Sequence, residues 1–109
     1  MIEGETITGV MRALADPTRR QLFERIAAAE EVTVIELTRT SHVTQGAVSQ
    51  HLKTLKQAGL VRERPEGRNV YYRVNPDGLK PLADWMSHYR MVWRDNIAAL
   101  KRILKDIDP

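Results

Sequence analysis

The chain has 109 residues, 42% hydrophobic and 28% charged, with 17 Lys and Arg against 14 Asp and Glu and no cysteine. One domain with a single modest core is expected, and a chain without cysteine excludes disulfides, Cys-ligated zinc or iron–sulfur centres and thiol redox sensing. The opening MIEGETITG has acids where a secretion signal needs a basic start, and no apolar stretch approaches the roughly 18 residues of a membrane span. The cytoplasm is the expected location, with no membrane partner.

Ile7, Val10, Met11 and Leu14 recur at helical spacing and predict a short amphipathic first helix. Asp16-Pro17 then supplies an N-cap carboxylate and a proline at the first helical position, so a second helix is expected over Pro17–Ala29 with Leu22, Phe23, Ile26 and Ala27 facing the core. Thr33 and Glu36 form a capping box that opens a third helix, Val34 to Arg39, with Ile35 and Leu37 as core candidates. Thr40–Val43 is read as a turn. Thr44 is a second hydroxyl cap and opens a fourth helix to about Ala58, with Val48, Leu52 and Leu55 on one buried stripe. Gly59 stops it as a residue able to take positive φ.

After Gly59 the period becomes two. Residues 60–64 and 69–74 read as strands of a hairpin around Pro65-Glu66-Gly67-Arg68, and Asn75-Pro76-Asp77-Gly78 closes it. Apolar residues then recur in steps of three and four from Leu79 to Ile107, which predicts one long helix of roughly 42 Å. A helix of that length with a continuous apolar face needs a partner beyond its own core, and a second copy of the chain is the simplest one. Residues 44–73 carry six basic side chains against two acids, whereas the other 79 residues sum to −1. A basic helix followed by a basic hairpin is the electrostatic footprint of a nucleic-acid reader. The order of elements, four helices, a hairpin and a helix, is that of a mainly α winged helix-turn-helix.

Four segments carry a family likeness: Ala13-Leu14-Ala15-Asp16-Pro17-Thr18-Arg19-Arg20, Ala47-Val48-Ser49-Gln50-His51-Leu52, Ala58-Gly59-Leu60-Val61, and Glu66-Gly67-Arg68 with Tyr71-Tyr72-Arg73. Together they resemble the ArsR/SmtB family of bacterial repressors over roughly residues 8–75. The resemblance implies a homodimer, paired through its first and last helices, that binds an operator and represses transcription of its own or a neighbouring operon. On that pattern Val10, Met11, Leu82, Trp85, Tyr89, Trp93, Ile97 and Leu100 would form the interface. Metal-sensing members use Cys in the third helix or Asp, His and Glu pairs between last helices. Here the third helix reads Val-Ile-Glu-Leu-Thr-Arg and the last holds only Asp84 and His88 at one-turn spacing. The ending, with Trp85, Tyr89-Arg90 and Trp93, resembles instead the Cys-less, metal-independent members, which implies no cofactor.

With Val48, Leu52 and Leu55 turned inward, Gln45, Gly46, Ser49, Gln50 and Lys53 form the opposite face of the fourth helix. Gln45 and Gln50 suit bidentate pairing with adenine, Ser49 a base or phosphate, and Gly46 a close backbone approach. Thr44 leaves the positive helix end to a phosphate. Lys53, Lys56, Arg62, Arg64 and Arg68 are phosphate candidates, with Arg68 at the wing tip. Tyr71 and Tyr72 alternate across the strand and read as packing, and His51 as a residue of the helix–helix junction. No nucleophile–base set, phosphate loop or carboxylate pair points to an enzyme. The expected partners are double-stranded DNA and a second copy, with a small-molecule effector left open. Two other readings remain at this point: a metal-responsive repressor using Asp84 and His88 across a dimer, and a winged-helix protein-interaction module without specific DNA binding.

Overall fold

The computed structural model describes residues 7–107. Its elements are α1 (Ile7–Ala15), α2 (Pro17–Ala29), β1 (Val32–Thr33), α3 (Val34–Arg39), α4 (Gln45–Gln57), β2 (Val61–Glu66), β3 (Asn69–Val74), a 3-10 turn (Pro76–Leu79), α5 (Lys80–Ser87), α6 (Arg90–Asp95) and α7 (Ile97–Ile107). The chain is a mainly helical winged helix-turn-helix with a small antiparallel sheet.

Local chemistry explains most boundaries. Asp16 accepts from the Arg19 backbone N–H at 3.0 Å and caps α2. That hydrogen bond, with help from the charge of His51, holds the Asp16 carboxyl below its ordinary value. Arg19 and Arg20 donate back to the carbonyls of Arg12, Ala13 and Leu14, and so close the last turn of α1. The capping box at Thr33 is complete, with Glu36 N–H donating to Thr33 Oγ1 at 3.2 Å and Thr33 N–H donating to Glu36 Oε1 at 3.3 Å.

The core is one cluster: Val10 and Ala13 of α1, Leu22 and Ile26 of α2, Val32 of β1, Leu37 of α3, Val48, Leu52 and Leu55 of α4, and Ala58, Leu60 and Val61 after it. Phe23, Tyr72, Val74, Leu79 and Leu82 pack against it. Two expected core residues face solvent. Ile35 is 52% exposed because the inward stripe of this short helix passes through Val34 and Leu37, and Ala27 lies on the outer side of α2. Val10 and Leu82, expected at an interface between copies, belong to the chain's own core, which is where α5 packs on α1.

Two differences concern architecture. The sheet has three strands in the order β1-β3-β2, because the two residues before α3 pair with the wing, Val32 with Tyr72 and Thr33 with Tyr71. The expected single helix over 79–107 is broken into α5, α6 and α7. Leu79 ends a 3-10 turn that starts at Pro76, so α5 begins only at Lys80, with Pro81 in its first turn. At the first break the helix tightens to i−3 bonds, His88 N–H to Trp85 and Tyr89 N–H to Met86, while Ser87 Oγ donates to the Asp84 carbonyl at 2.7 Å. At the second, Asn96 donates both its backbone and its side-chain N–H to the Val92 carbonyl. Short polar side chains that compete for helix carbonyls weaken a helix that no core holds straight. Trp93 and Leu100, two expected interface positions, lie outside the residues whose side chains are described.

Candidate nucleic-acid interface

The centre of the basic segment is α4. Thr44 takes an extended backbone (φ −72°, ψ 161°) and its Oγ1 accepts from the Ala47 N–H at 3.1 Å, so the helix starts at Gln45. Val48, Leu52 and Leu55 are fully buried. At the other end Gly59 has φ +78°, its N–H donates to the Lys56 carbonyl at 3.0 Å, and the Leu60 N–H donates to the Leu55 carbonyl at 2.9 Å. This is a Schellman closure, completed by burial of Leu55 against Leu60.

Everything inward on α4 is thus satisfied, and the outward face is left open. Gln45, Gly46, Ser49, Gln50 and Lys53 are exposed. Among the described residues, the side chains of Gln45, Ser49, Gln50 and Lys53 have no hydrogen-bond or ion-pair partner. A Cβ added at Gly46 would meet only Thr44 Oγ1, at 3.9 Å. Nothing inside the chain requires glycine there.

The other cations divide sharply. Lys56 is in direct contact with Glu63, whose second oxygen accepts from the Tyr72 hydroxyl at 3.3 Å. That pairing holds the Glu63 carboxyl below its ordinary value and the Lys56 ammonium above it, and burial raises the Tyr72 hydroxyl. Arg64 is tied more completely. Its Nε and Nη2 donate to the two oxygens of Glu31 at 3.0 and 2.7 Å, and its Nη1 to Glu66 at 3.1 Å. Its guanidinium carbon lies 4.9 Å from the centre of the Tyr71 ring. Arg64, expected at a phosphate, thus has three of its five N–H donors engaged by carboxylates of its own chain. Arg62 reaches Asp77 only at 4.0 Å with both side chains largely exposed. Arg68 stands at the wing tip beside Gly67, whose φ of +61° makes the two-residue turn between Glu66 and Asn69.

The register brings in one cation that the sequence reading left off its site. Arg73 lies directly across from Arg62, exposed and without an ion pair among the described residues. Like charges opposite one another repel unless an anion sits between them. The signal was available in principle: a two-residue turn at Gly67-Arg68 pairs 66 with 69 and therefore 62 with 73. Asp84 lies in α5 and His88 ends it, both exposed, and among the described residues no group of three His, Cys, Asp or Glu comes together.

Comparison with known proteins places this arrangement. Residues 14–64 match a family model described as a helix-turn-helix domain. The chain is similar to an HTH-type transcriptional regulator of Mycobacterium tuberculosis, 49% identical over 71 residues that span 65% of each chain, slightly under two thirds of that relative's length. It is 36% identical over 96 residues to a probable mercury resistance operon repressor of Streptomyces lividans, covering 88% of this chain and 74% of that one. Among solved structures, an ArsR family transcriptional regulator superposes with a TM-score of 0.70 at 25% identity, over 81% of this chain and 90% of its own.

Proposed function

The chain belongs to the ArsR/SmtB family of DNA-binding transcriptional regulators, and from that membership we propose that it works as a homodimeric repressor in the cytoplasm, reading an inverted-repeat operator of its own or a neighbouring operon. The observation that carries the reading is the outward face of α4, where four polar side chains are unpartnered while every inward group is satisfied. In this reading Gln45, Ser49 and Gln50 meet base edges in the major groove and Gly46 admits the backbone close to the DNA. Lys53, Arg62, Arg68 and Arg73 meet phosphates, with the Arg62–Arg73 pair closing on one of them. Thr44 leaves the helix end to a phosphate, and Lys56 contributes at most in exchange for Glu63.

The dimer is supported by what the C-terminal helices leave uncovered. Met11, Trp85, Met86, Tyr89, Met91, Val92, Ile97 and Ile103 are all exposed, and the radius of gyration of 16.1 Å exceeds the ~13 Å of a compact domain this long. Apolar surface on an extended arm is stable when a second copy covers it. Two recognition helices about 34–36 Å apart would then read successive major grooves.

Fluorescence anisotropy on the DNA upstream of the chain's own gene, beside analytical ultracentrifugation, tests both halves. The expected result is a dimer that binds that DNA about 10³-fold or more tighter than scrambled DNA, as specific sites are bound. Equal affinity for both DNAs at moderate salt overturns the operator reading, and a monomer at micromolar concentration overturns the dimer.

A further inference from the structure

Glu63 and Arg64 are consecutive on β2, so their side chains leave opposite faces of the wing. Each meets a charge on the body of the domain: Glu63 meets Lys56 of α4, and Arg64 meets Glu31 just after α2. The second contact spans the sheet. β1 pairs with β3 and not with β2, so Arg64 on the edge strand must cross the central strand to reach Glu31, and it does so over the Tyr71 ring. Three donors, two carboxylates and a ring face hold one guanidinium. Bidentate, networked geometry of this kind separates a structural ion pair from a solvated one.

The body side of the contact is also specially shaped. Glu30 has φ +67° and ψ −51°, and the Glu31 N–H donates to the Ala29 carbonyl at 2.7 Å. This is a γ-turn of the strained hand at a residue with a side chain. Such conformations are costly and persist where surrounding contacts over-determine them. The turn ends α2 abruptly and delivers Glu31 to the wing. Beyond Arg64 the strand has no side chain in the core: residues 65–70, including the tip with Arg68, are all exposed. A two-stranded ribbon of that kind is marginal in water by itself.

We propose that Arg64, Glu31 and Glu66 form a wing brace, in which Arg64 is a positioning residue and the two acids promote DNA binding by fixing the angle at which Arg68 and the Arg62–Arg73 pair meet the duplex. The inference rests on the DNA-binding reading for its consequence but not for its structure. It reverses the simple electrostatic expectation, under which removing an acid from a basic surface tightens DNA binding. Glu66 holds one donor and Glu31 two, so Glu31 is the main support.

The test compares Glu31→Gln, Arg64→Ala and the double variant with the wild type, by anisotropy on the operator across a salt series and by amide hydrogen exchange over the wing. The brace predicts three- to thirtyfold weaker binding in both single variants. The double variant should be no weaker than the weaker single one, and the slope of log affinity on log salt should stay unchanged. It also predicts faster exchange at residues 61–74 with α4 still protected. A slope reduced by about 0.9 in Arg64→Ala would mark a lost phosphate contact, and together with unchanged or tighter binding in Glu31→Gln it overturns the proposal. Unchanged wing exchange in both single variants overturns it too, whatever the DNA result. If the wild type binds no DNA specifically, the operator reading fails separately, and the exchange data alone decide whether the brace exists.

Discussion

Asn75, which ends the wing, donates a side-chain N–H to the carbonyl of Gly59, which ends α4, at 2.8 Å. The Asn75 backbone N–H donates to the Leu60 carbonyl at 2.9 Å, and its side-chain oxygen accepts from the Asp77 N–H. Helix α4, the wing and the first turn of the C-terminal arm are therefore fastened at one point. Gly78 completes the joint, because a Cβ there would stand 2.3 Å from the Gly59 oxygen.

Gly78→Ala is accordingly expected to destabilise the fold by about 1–3 kcal/mol, since the obstacle is backbone that cannot rotate away. Asn75→Ala should cost a similar ~1–3 kcal/mol by leaving a half-buried carbonyl without its donor. Urea unfolding followed by circular dichroism measures both, and wild-type midpoints would show that the joint carries no stability.

Gly46→Ala should separate folding from binding. The added methyl enters open space in the first turn of α4, so stability should be unchanged or raised, by up to about 1 kcal/mol. Affinity for the operator should nevertheless fall at least tenfold, as the methyl would stand between the backbone and the DNA. Equal affinity with equal stability would show that α4 does not approach the duplex at this residue.

Arg68→Ala and Gln50→Ala are predicted to fail differently. Loss of Arg68 should weaken binding to every sequence and lower the salt slope by about 0.9. Loss of Gln50 should leave the slope alone and relax preference at one base pair, by about 1–3 kcal/mol. Salt titrations on operators with single base substitutions distinguish them, and identical behaviour would refute the division into phosphate and base contacts.

The contribution of Glu31 to wing stability should depend on pH. Its carboxyl is held below the ordinary 4.5, first by the hydrogen bonds from Arg64. A carboxyl depressed in the folded state stabilises that state fully above its unfolded value and ceases to do so as pH falls through its folded one. The difference in thermal midpoint between wild type and Glu31→Gln should hold from neutral pH to about 5 and shrink below 4.5. A difference that stays constant down to pH 3 would mean that the carboxylate charge is not what holds Arg64.

Trp85 and Tyr89 stack edge to face on the uncovered arm, centroids 5.2 Å apart, and are 44% and 47% exposed. Trp85→Asp should raise the dimer dissociation constant by about 30-fold or more, the effect of removing an aromatic anchor worth about 2 kcal/mol. Sedimentation across a concentration series reads this directly, and an unaltered association constant would place the interface elsewhere.

Most of the helix-turn-helix was legible in the chain because it is built from short-range interactions. The Asp16, Thr33 and Thr44 caps, the buried stripe of α4 and the Gly59 stop each involve residues no more than a few turns apart, so spacing reveals them. Charge counting also found the basic segment. It could not tell which cations were free, because Arg64 and Glu31 are 33 residues apart and only the sheet brings them together. The short β1 was invisible for the same reason: two residues become a strand only when β3 lies beside them.

The C-terminal arm shows the converse. Its three-and-four period extends without interruption to Ile107, and period alone predicts one straight helix; the breaks at His88–Tyr89 and Asn96 arise where polar side chains compete for carbonyls and no core opposes them. Periodicity also marks an apolar residue without saying whose core it joins, so Val10 and Leu82 went to the chain's own interior while Trp85 and Tyr89 stayed outside. By itself, then, the sequence determined that this is a winged helix-turn-helix with a polar outward face on α4. Which charges face outward, how the wing is held and where the arm bends were decided only by tertiary structure, because each depends on groups that meet in space and not along the chain.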